Sequence, residues 1–578
     1  MQSVISQTAL SRLSIWQLLV VTILGVLLLG GVLRAFSLAW ISDDAFISIR
    51  YAENLISGNG LVYNPGEYVE GYTNLLWTLL LAGLMRAGFS PVPAAEYLGI
   101  FFYVALVLCL AHWTWWRARE SGRSFLPLAA GLVLVSDDFH TWATGGLETM
   151  LFAYLALQAL LLTRLEVESR RLPLLVGVLL SLLVLTRPDG LLFAAVGVAS
   201  YWIPPGRLPQ RTRIDYSLTA LAPVLVTLAV LIPVKLSYYG DVFPTAFYSK
   251  SVLRPYISQG LVYVAVYLAK NWFLVAVLAA MLIARVVGRR FPRGPNRYHS
   301  VVFLAAAGVF VAYLVQVGGD FMFARRLIPA IPFLFLVLEE SVMRVEDIRF
   351  RTGCVGVCLV AAALHAPLYS DERLKIRGIA DERRFYPQQV LRLRELQAKV
   401  VGEALAGTPA RVAIEGGMCG FAYYSGLPYL VEMTGLTQYS LAKLPLSERG
   451  HVGHEKAATD EWLTENNIHL VVSQALPPVS RSPASPGFRN VYFGRAARAR
   501  IHLYSDEVMD ALRQQPQVSF VPIEDVIAGM KQRIENSSAE EAEGIYDFLD
   551  RYYFRAAGER GQEEARAIRE MIERKRGD

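Results

Sequence analysis

Over the first two thirds of the chain, polar positions are gathered into short loops between long apolar runs. The runs fall near 17–39, 74–88, 98–116, 125–136, 149–163, 172–186, 190–203, 217–236, 259–286, 299–317, 327–343 and 353–368. Helices of about 20 apolar residues cross a bilayer, so the pattern predicts a multi-spanning helical membrane protein. Several runs are shorter than that. The interruption Thr186-Arg187-Pro188-Asp189-Gly190 predicts helices that stop at depth around a cavity. The run 18–40 has only Arg12 before it and no small-x-small cleavage site; it reads as the first span, not as a removed signal.

Basic residues orient the spans. The loops 164–171, 204–215, 285–298 and 344–351 are arginine-rich and are predicted to be cytoplasmic. The loops 40–73, 137–148, 237–256 and 318–326 then face outward. Arg117, Arg119 and Arg123 conflict with simple counting, which predicts that one segment between 74 and 136 is re-entrant or does not cross. About eleven spans result. After Leu368 the chain becomes charged, with no further span. The expected organisation is a transmembrane domain at 1–368 and a soluble α/β domain at 369–578. In the latter, 411–415 (RVAIE) and 469–473 (HLVVS) read as buried strands, and 540–576 is polar and helix-prone.

Composition agrees: of 578 residues, 54% are hydrophobic and 18% charged, where a soluble protein has about 25% charged residues. The net charge of +6 sits in inter-span loops, which reflects topology and gives no reason to expect nucleic-acid binding. Cys109, Cys354, Cys358 and Cys419 have no partners spaced for a metal or redox site.

Candidate chemistry lies in the outward loops. Asp43 and Asp44 follow the first span; one of them could take a proton from an acceptor hydroxyl as a general base, or the pair could cap a helix. Arg50 could hold a phosphate or pair with Glu53 or Glu67 on the surface. Glu70, Tyr72 and Asn74 suit sugar hydroxyls or form an interfacial aromatic belt. Asp138, His140 and Glu148 form a second acidic loop, a weak metal signal with a single His. Tyr248 and Lys250 lie in a third loop, where Lys250 could neutralise a lipid phosphate or snorkel. Asp320, Arg325 and Arg326 form a fourth. Arginines at the outer edge oppose the positive-inside pattern, and a lipid phosphate is their simplest partner. Together the four loops describe a cavity that reads a phosphate and a polyol at a membrane surface.

These residues resemble the GT-C superfamily of integral membrane glycosyltransferases and, more narrowly, the terminal β-(1→2)-arabinofuranosyltransferases of mycobacterial cell-wall arabinan synthesis. The resemblance is carried by Asp43-Asp44-Ala45-Phe46, Arg50-Tyr51, Asn64, Gly66-Glu67, Val69-Glu70-Gly71, Thr73-Asn74 and Trp77. Further along it is carried by Gly145-Gly146-Leu147-Glu148-Thr149, Thr186-Arg187-Pro188-Asp189-Gly190, Tyr238-Tyr239-Gly240, Lys250, Gly318-Gly319-Asp320-Phe321-Met322 and Gly453-His454-Glu455-Lys456. It implies a polyprenyl-phosphate-linked sugar donor, an inverting transfer, and a glycan or glycoprotein acceptor outside the cytoplasm. The enzyme would sit in the cytoplasmic membrane with its active site and C-terminal domain facing the periplasm or exterior. The superfamily's catalytic base maps onto Asp43, with Asp44 the near alternative; Lys250, Arg325 and Arg326 map onto the donor phosphate. No cofactor is expected, and a divalent metal is left open. The resemblance does not fix the acceptor, and the pentose is implied by the resemblance alone. Competing readings are a transferase using a polyprenyl-phosphate hexose, a transporter or flippase for a lipid-linked sugar, and a non-catalytic scaffold.

Overall fold

The computed structural model describes residues 15–165, 169–203, 209–275, 297–345, 347–364, 376–446, 448–473 and 489–577. The chain divides into two compact units. The first comprises Met1–Ser48, Thr73–Val242 and Val252–Tyr386; the second comprises Ile49–Tyr72, Phe243–Ser251 and Pro387–Asp578. The second unit therefore includes most of the first outward loop and part of the third, along with the C-terminal region. The boundary expected at Leu368 lies outside the described residues, as do the basic loop 285–296 and the far end of the run 259–286.

The first unit is a helical membrane protein. Among the described residues, Ile15–Ser37, Pro91–Ser121, Gln210–Tyr239 and Tyr298–Val317 are singly long and apolar enough to cross a bilayer. A fifth span results if Asp137–Thr144 and Thr149–Leu162, bent by 116°, are taken together. The other apolar runs form half-length helices, including Leu75–Arg86, Arg171–Thr186, Gly190–Trp202 and Ile257–Lys270. Among the described residues the eleven expected spans thus do not appear as eleven long helices; several apolar runs are broken, as at Pro188 and at Asn271. At the 186–190 interruption, Arg187 is extended at φ −160° and ψ 138°, as the residue before a proline prefers; the next helix begins at Gly190. Leu18, Val26, Leu29, Leu33, Leu218, Val226 and Val230 are exposed, an apolar surface suited to lipid tails.

The helix Pro91–Ser121 runs 31 residues, opened by proline in its first turn and closed by Gly122 in the left-handed region. Near its start, Gly99 lies so close to the Ala143 carbonyl that a Cβ there would sit 2.2 Å from the oxygen. At its far end Arg123 donates to the Met343 carbonyl at 2.5 Å. Arg117, Arg119 and Arg123 therefore share an end of the bundle with Arg344.

The second unit contains a six-stranded mixed sheet in the order β2-β1-β3-β5-β4-β6. The strands are β1 Val412–Ile414, β2 Leu430–Glu432, β3 Leu470–Val472, β4 Asn490–Phe493, β5 Ala497–Ile501 and β6 Val518–Ser519. β1 lies parallel between β2 and β3; the remaining pairs are antiparallel. β1 and β3 fall within the two segments expected as strands. Each is buried along its whole length, as strands covered on both faces are. Ala413, Val431, Leu441, Trp462, Leu463, Ile468 and Val471 form one core. The helix-prone tail forms Ala539–Leu549 and Gly558–Gly577, separated by a wider turn at Asp550–Phe554.

Candidate active site

Four chain segments of the first unit bring their charged residues together, and a fifth adds Asn74. The segment 42–44 precedes the helix Ala45–Ile56 and is tied to the second acidic loop by the Ser42 amide, which donates to the Gly145 carbonyl at 3.1 Å. Gly146 makes this approach possible. Its φ is +77°, and a Cβ there would lie 2.3 Å from Ile41 Cδ1, so only glycine fits. Trp77 Nε1 holds the Gly146 carbonyl at 3.1 Å.

Glu148 follows in this break between helices and is buried. Its Oε1 accepts from Arg187 and from Arg325 at 3.3 Å. Its Oε2 accepts from Asn74 Nδ2 at 2.8 Å, and Asn74 Oδ1 accepts from Ser48 Oγ at 3.0 Å. Arg187 continues the network through Nε to Asp189 at 3.0 Å, and Arg326 donates to the other Asp189 oxygen at 2.6 Å. Buried charges need such pairing, because an isolated ion in a low-dielectric interior is strongly penalised.

The loop 318–326 aims the two arginines. Gly319 has φ +74°, and a Cβ there would lie 2.5 Å from the Tyr263 ring. Ala324 is a non-glycine residue at φ +64°, a conformation that costs on the order of 1 kcal/mol and persists only where surroundings enforce it. They do so here: the Phe323 amide bonds the Ala380 carbonyl at 2.8 Å, and Trp142 Nε1 bonds the Phe323 carbonyl at 3.0 Å. Arg325 NH1 then lies 4.0 Å from both Asp44 and Asp320. Nε of Arg325 and of Arg326 is buried with no hydrogen-bond partner among the described residues. A small cavity opens among Glu148, Thr149, Phe152, Arg187, Phe310, Arg325, Arg326 and Pro329.

Of the residues proposed from sequence, Asp44, Asn74, Glu148, Asp320, Arg325 and Arg326 converge here. Asp43 is buried at 4% exposure, whereas the Asp44 side chain is 25% exposed. Asp138 and His140 are engaged elsewhere in the same unit. Asp138 accepts from Lys270 Nζ at 2.5 Å and from Asn271 at 3.3 Å. His140 sits between Asp137 at 3.3 Å and the Leu134 carbonyl at 3.0 Å.

Arg50, Glu70, Tyr72, Tyr248 and Lys250 belong to the second unit. Arg50 is buried there. Its guanidinium donates to Tyr63 O at 2.8 Å, Asn64 Oδ1 at 3.1 Å, Leu427 O at 2.8 Å and Ala422 O. Glu70 is buried, and its carbonyl accepts from the Thr245 amide at 2.9 Å. Tyr72 packs edge-on to Tyr51 at 4.9 Å. The Tyr248 carbonyl accepts from Lys456 Nζ at 2.9 Å, and the Lys250 carbonyl accepts from Arg449 at 3.4 Å.

Sequence reasoning did not single out Ser48, Arg187, Asp189, Lys270 or Asn271 as site residues. For Arg187 and Asp189 the signal is present, an acid and a base within an apolar stretch, but from sequence the motif marks a helix break and part of the family resemblance, with no site role attached to either residue. No group of three or more metal-ligating side chains is found among the described residues.

The chain is similar to terminal β-(1→2)-arabinofuranosyltransferases. It is 28% identical over 427 residues to the one from Mycobacterium tuberculosis, covering 65% of this chain and 66% of that protein. To the one from Corynebacterium glutamicum it is 26% identical over 339 residues, covering 53% and 48%. The chain thus spans slightly under two thirds of the first relative and about half of the second. No protein-family model matches the chain. Among solved structures, the Archaeoglobus fulgidus oligosaccharyltransferase gives a TM-score of 0.45 at 14% identity, covering 77% of this chain and 67% of that one. ArnT from Cupriavidus metallidurans, bound to undecaprenyl phosphate, gives 0.43 at 13% identity, covering 87% and 85%.

Proposed function

We propose that the chain is an inverting glycosyltransferase of the GT-C type. It would move a sugar, D-arabinofuranose by analogy with its relatives, from a polyprenyl-phosphate donor to an extracytoplasmic glycan or glycoprotein. The observation that carries this reading is the gathering of Arg187, Arg325 and Arg326 beside the first-loop acidic pair at one end of a membrane-embedded helical unit. In the proposed reaction an acceptor hydroxyl loses its proton to a carboxylate as its oxygen bonds the anomeric carbon. The bond from that carbon to the phosphate oxygen breaks on the opposite face, and the phosphate leaves with the electron pair. A phosphate monoester is a good leaving group, so a base and preorganised cations suffice.

The roles are assigned as follows. Arg325 and Arg326 meet the phosphate, and Arg187 and Glu148 hold them in place. Asn74 and Asp320 line the sugar side. The resemblance favours Asp43 as base, and its greater exposure favours Asp44. Arg50 is left out of the phosphate set, because its donors are spent on backbone carbonyls and Asn64. Lys250, Glu70, Tyr72 and Tyr248 remain acceptor-side or donor-side candidates from the second unit. The Arg117–Arg123 and Arg344 end would face the cytoplasm by the positive-inside rule, placing the acidic cluster outside the cytoplasm, with residues 369–578 as the extracytoplasmic domain.

The test is transfer of label from polyprenyl-phosphoryl-arabinofuranose by membranes bearing the wild type, Asp43→Asn or Asp44→Asn. Label moved by the wild type and lost in one variant supports the reading and names the base. No transfer from this donor or from polyprenyl-phosphate hexoses would overturn it.

A further inference from the structure

The arginine-rich end of the first unit holds a second polar pocket, lined by Trp113, Thr114, Arg117, Arg123, Glu339 and Glu340 among others. Glu339 is satisfied: Thr114 Oγ1 donates to one oxygen at 2.6 Å and the Ala129 amide to the other at 2.9 Å. Glu340 is not. Its Oε2 accepts from Ser300, but Oε1 has no hydrogen-bond partner among the described residues, and the residue is only 8% exposed. A buried acceptor left open is costly and calls for a donor. His299, buried against Trp113 with ring centroids 5.5 Å apart, likewise has an Nδ1 with no partner among the described residues.

Two further facts restrict the ligand. The pocket is small, about 30 Å³, which leaves room for a water-sized group such as an ammonium. Its depth is that of a lipid headgroup. Gly99 packs on the loop end that carries Ala143 and Glu148. Arg117 lies on the same continuous helix, roughly 27 Å further along at about 1.5 Å per residue, close to the ~30 Å of a bilayer's hydrocarbon core.

We propose that this pocket binds the headgroup of an aminophospholipid. The primary ammonium group donates to Glu340 Oε1, and the phosphate diester sits at the mouth against Arg117 and Arg123. The inference rests on the membrane reading and not on glycosyl transfer, so either can fail alone.

The test uses the full chain in nanodiscs of phosphatidylethanolamine, phosphatidylcholine or phosphatidylglycerol, each diluted into the same background lipid. Thermal unfolding and lipids retained on native mass spectrometry are both read. Phosphatidylethanolamine should raise the unfolding midpoint of the wild type and be retained selectively. Phosphatidylcholine, whose quaternary ammonium has no N–H to donate, should do neither. Glu340→Gln should lower the retention ratio of phosphatidylethanolamine to phosphatidylglycerol at least about tenfold, the loss expected for one charge-assisted hydrogen bond. Arg123→Gln should weaken retention of both lipids. Equal midpoints for the wild type in all three lipids, a comparison that needs no variant to fold, would overturn the proposal. So would a Glu340→Gln protein that keeps the selectivity, the outcome expected of a carboxyl that is merely protonated.

Discussion

Arg325 donates to Glu148 at 3.3 Å while its other terminal nitrogen lies 4.0 Å from Asp44. One guanidinium therefore links the buried glutamate of the second acidic loop to the exposed member of the first-loop pair. Glu148 also holds Arg187, so the carboxylate is the joint through which two cations are positioned.

Removing that joint should damage folding as well as chemistry. Glu148→Ala leaves two buried guanidiniums without their shared acceptor, and breaking one side of a buried pair costs about 3–5 kcal/mol. Its unfolding midpoint in detergent should fall well below that of the wild type. Glu148→Gln keeps the hydrogen-bonding shape and should lose less. Equal midpoints for wild type and Glu148→Ala would remove the network from any structural role.

Arg325→Gln and Arg326→Gln should each lower transfer from a polyprenyl-phosphate donor by about 10²- to 10³-fold, the usual loss when one preorganised stabilising group is removed. Arg325→Lys restores the charge but not the fork that spans Glu148 and Asp44, so it should recover only part of the rate. Single-turnover rates at saturating donor separate this from weakened binding. Unchanged rates in both Gln variants would place the phosphate elsewhere.

A base in the first loop contributes about 10²- to 10⁴-fold. Asp44→Asn or Asp43→Asn, whichever carries it, should show that loss with an unfolding midpoint near wild type. If both variants transfer at the wild-type rate on an active donor, the pair acts only as a cap.

Arg50 should matter for folding. Of its four donor contacts, those to Tyr63 and Asn64 fix the segment 49–72 on itself, and those to Leu427 and Ala422 join it to the C-terminal part of the second unit. Arg50→Ala strands buried carbonyls at about 1–3 kcal/mol each for those left unsatisfied. The expected result is faster limited proteolysis of the C-terminal region. A variant with wild-type proteolysis but weakened donor binding would return Arg50 to the phosphate.

The helical membrane unit, the strands β1 and β3, and the convergence of Asp44, Asn74, Glu148, Asp320, Arg325 and Arg326 were legible in the sequence. Charged groups inside apolar surroundings need partners, and a short list of loops held them. Arg50 was misleading because an arginine buried among carbonyls is indistinguishable in sequence from one awaiting a phosphate. Asp138 and His140 looked like a site because Lys270, more than a hundred positions away, gives no local sign that it pairs with Asp138. The assignment of 49–72 and 243–251 to the second unit was equally hidden, since it is made by contacts distant in sequence, such as Asn64 Nδ2 to the Leu430 carbonyl at 2.9 Å.

The second unit should lose stability in mild acid through His469. Its Nδ1 accepts from the Arg411 amide at 3.0 Å, which requires the neutral ring. Burial, with the Arg411 cation adding to it, lowers the imidazole pKa to about 4, against about 6.5 in an unfolded chain. Between those values the unfolded state binds more protons than the folded one, so stability rises with pH. The contribution is complete above about 6.5 and is lost as pH falls toward 4, amounting to at most about 3 kcal/mol. His502, whose amide donates to the His469 carbonyl at 2.8 Å, is also held below its ordinary value by burial. His469→Asn keeps an acceptor for the Arg411 amide without a titrating ring, so it should flatten the acid slope of the unfolding midpoint without abolishing it. Full-chain unfolding in detergent from pH 7.5 to 4.5 measures both slopes, and an unchanged slope in the variant would show that His469 is not the group that titrates.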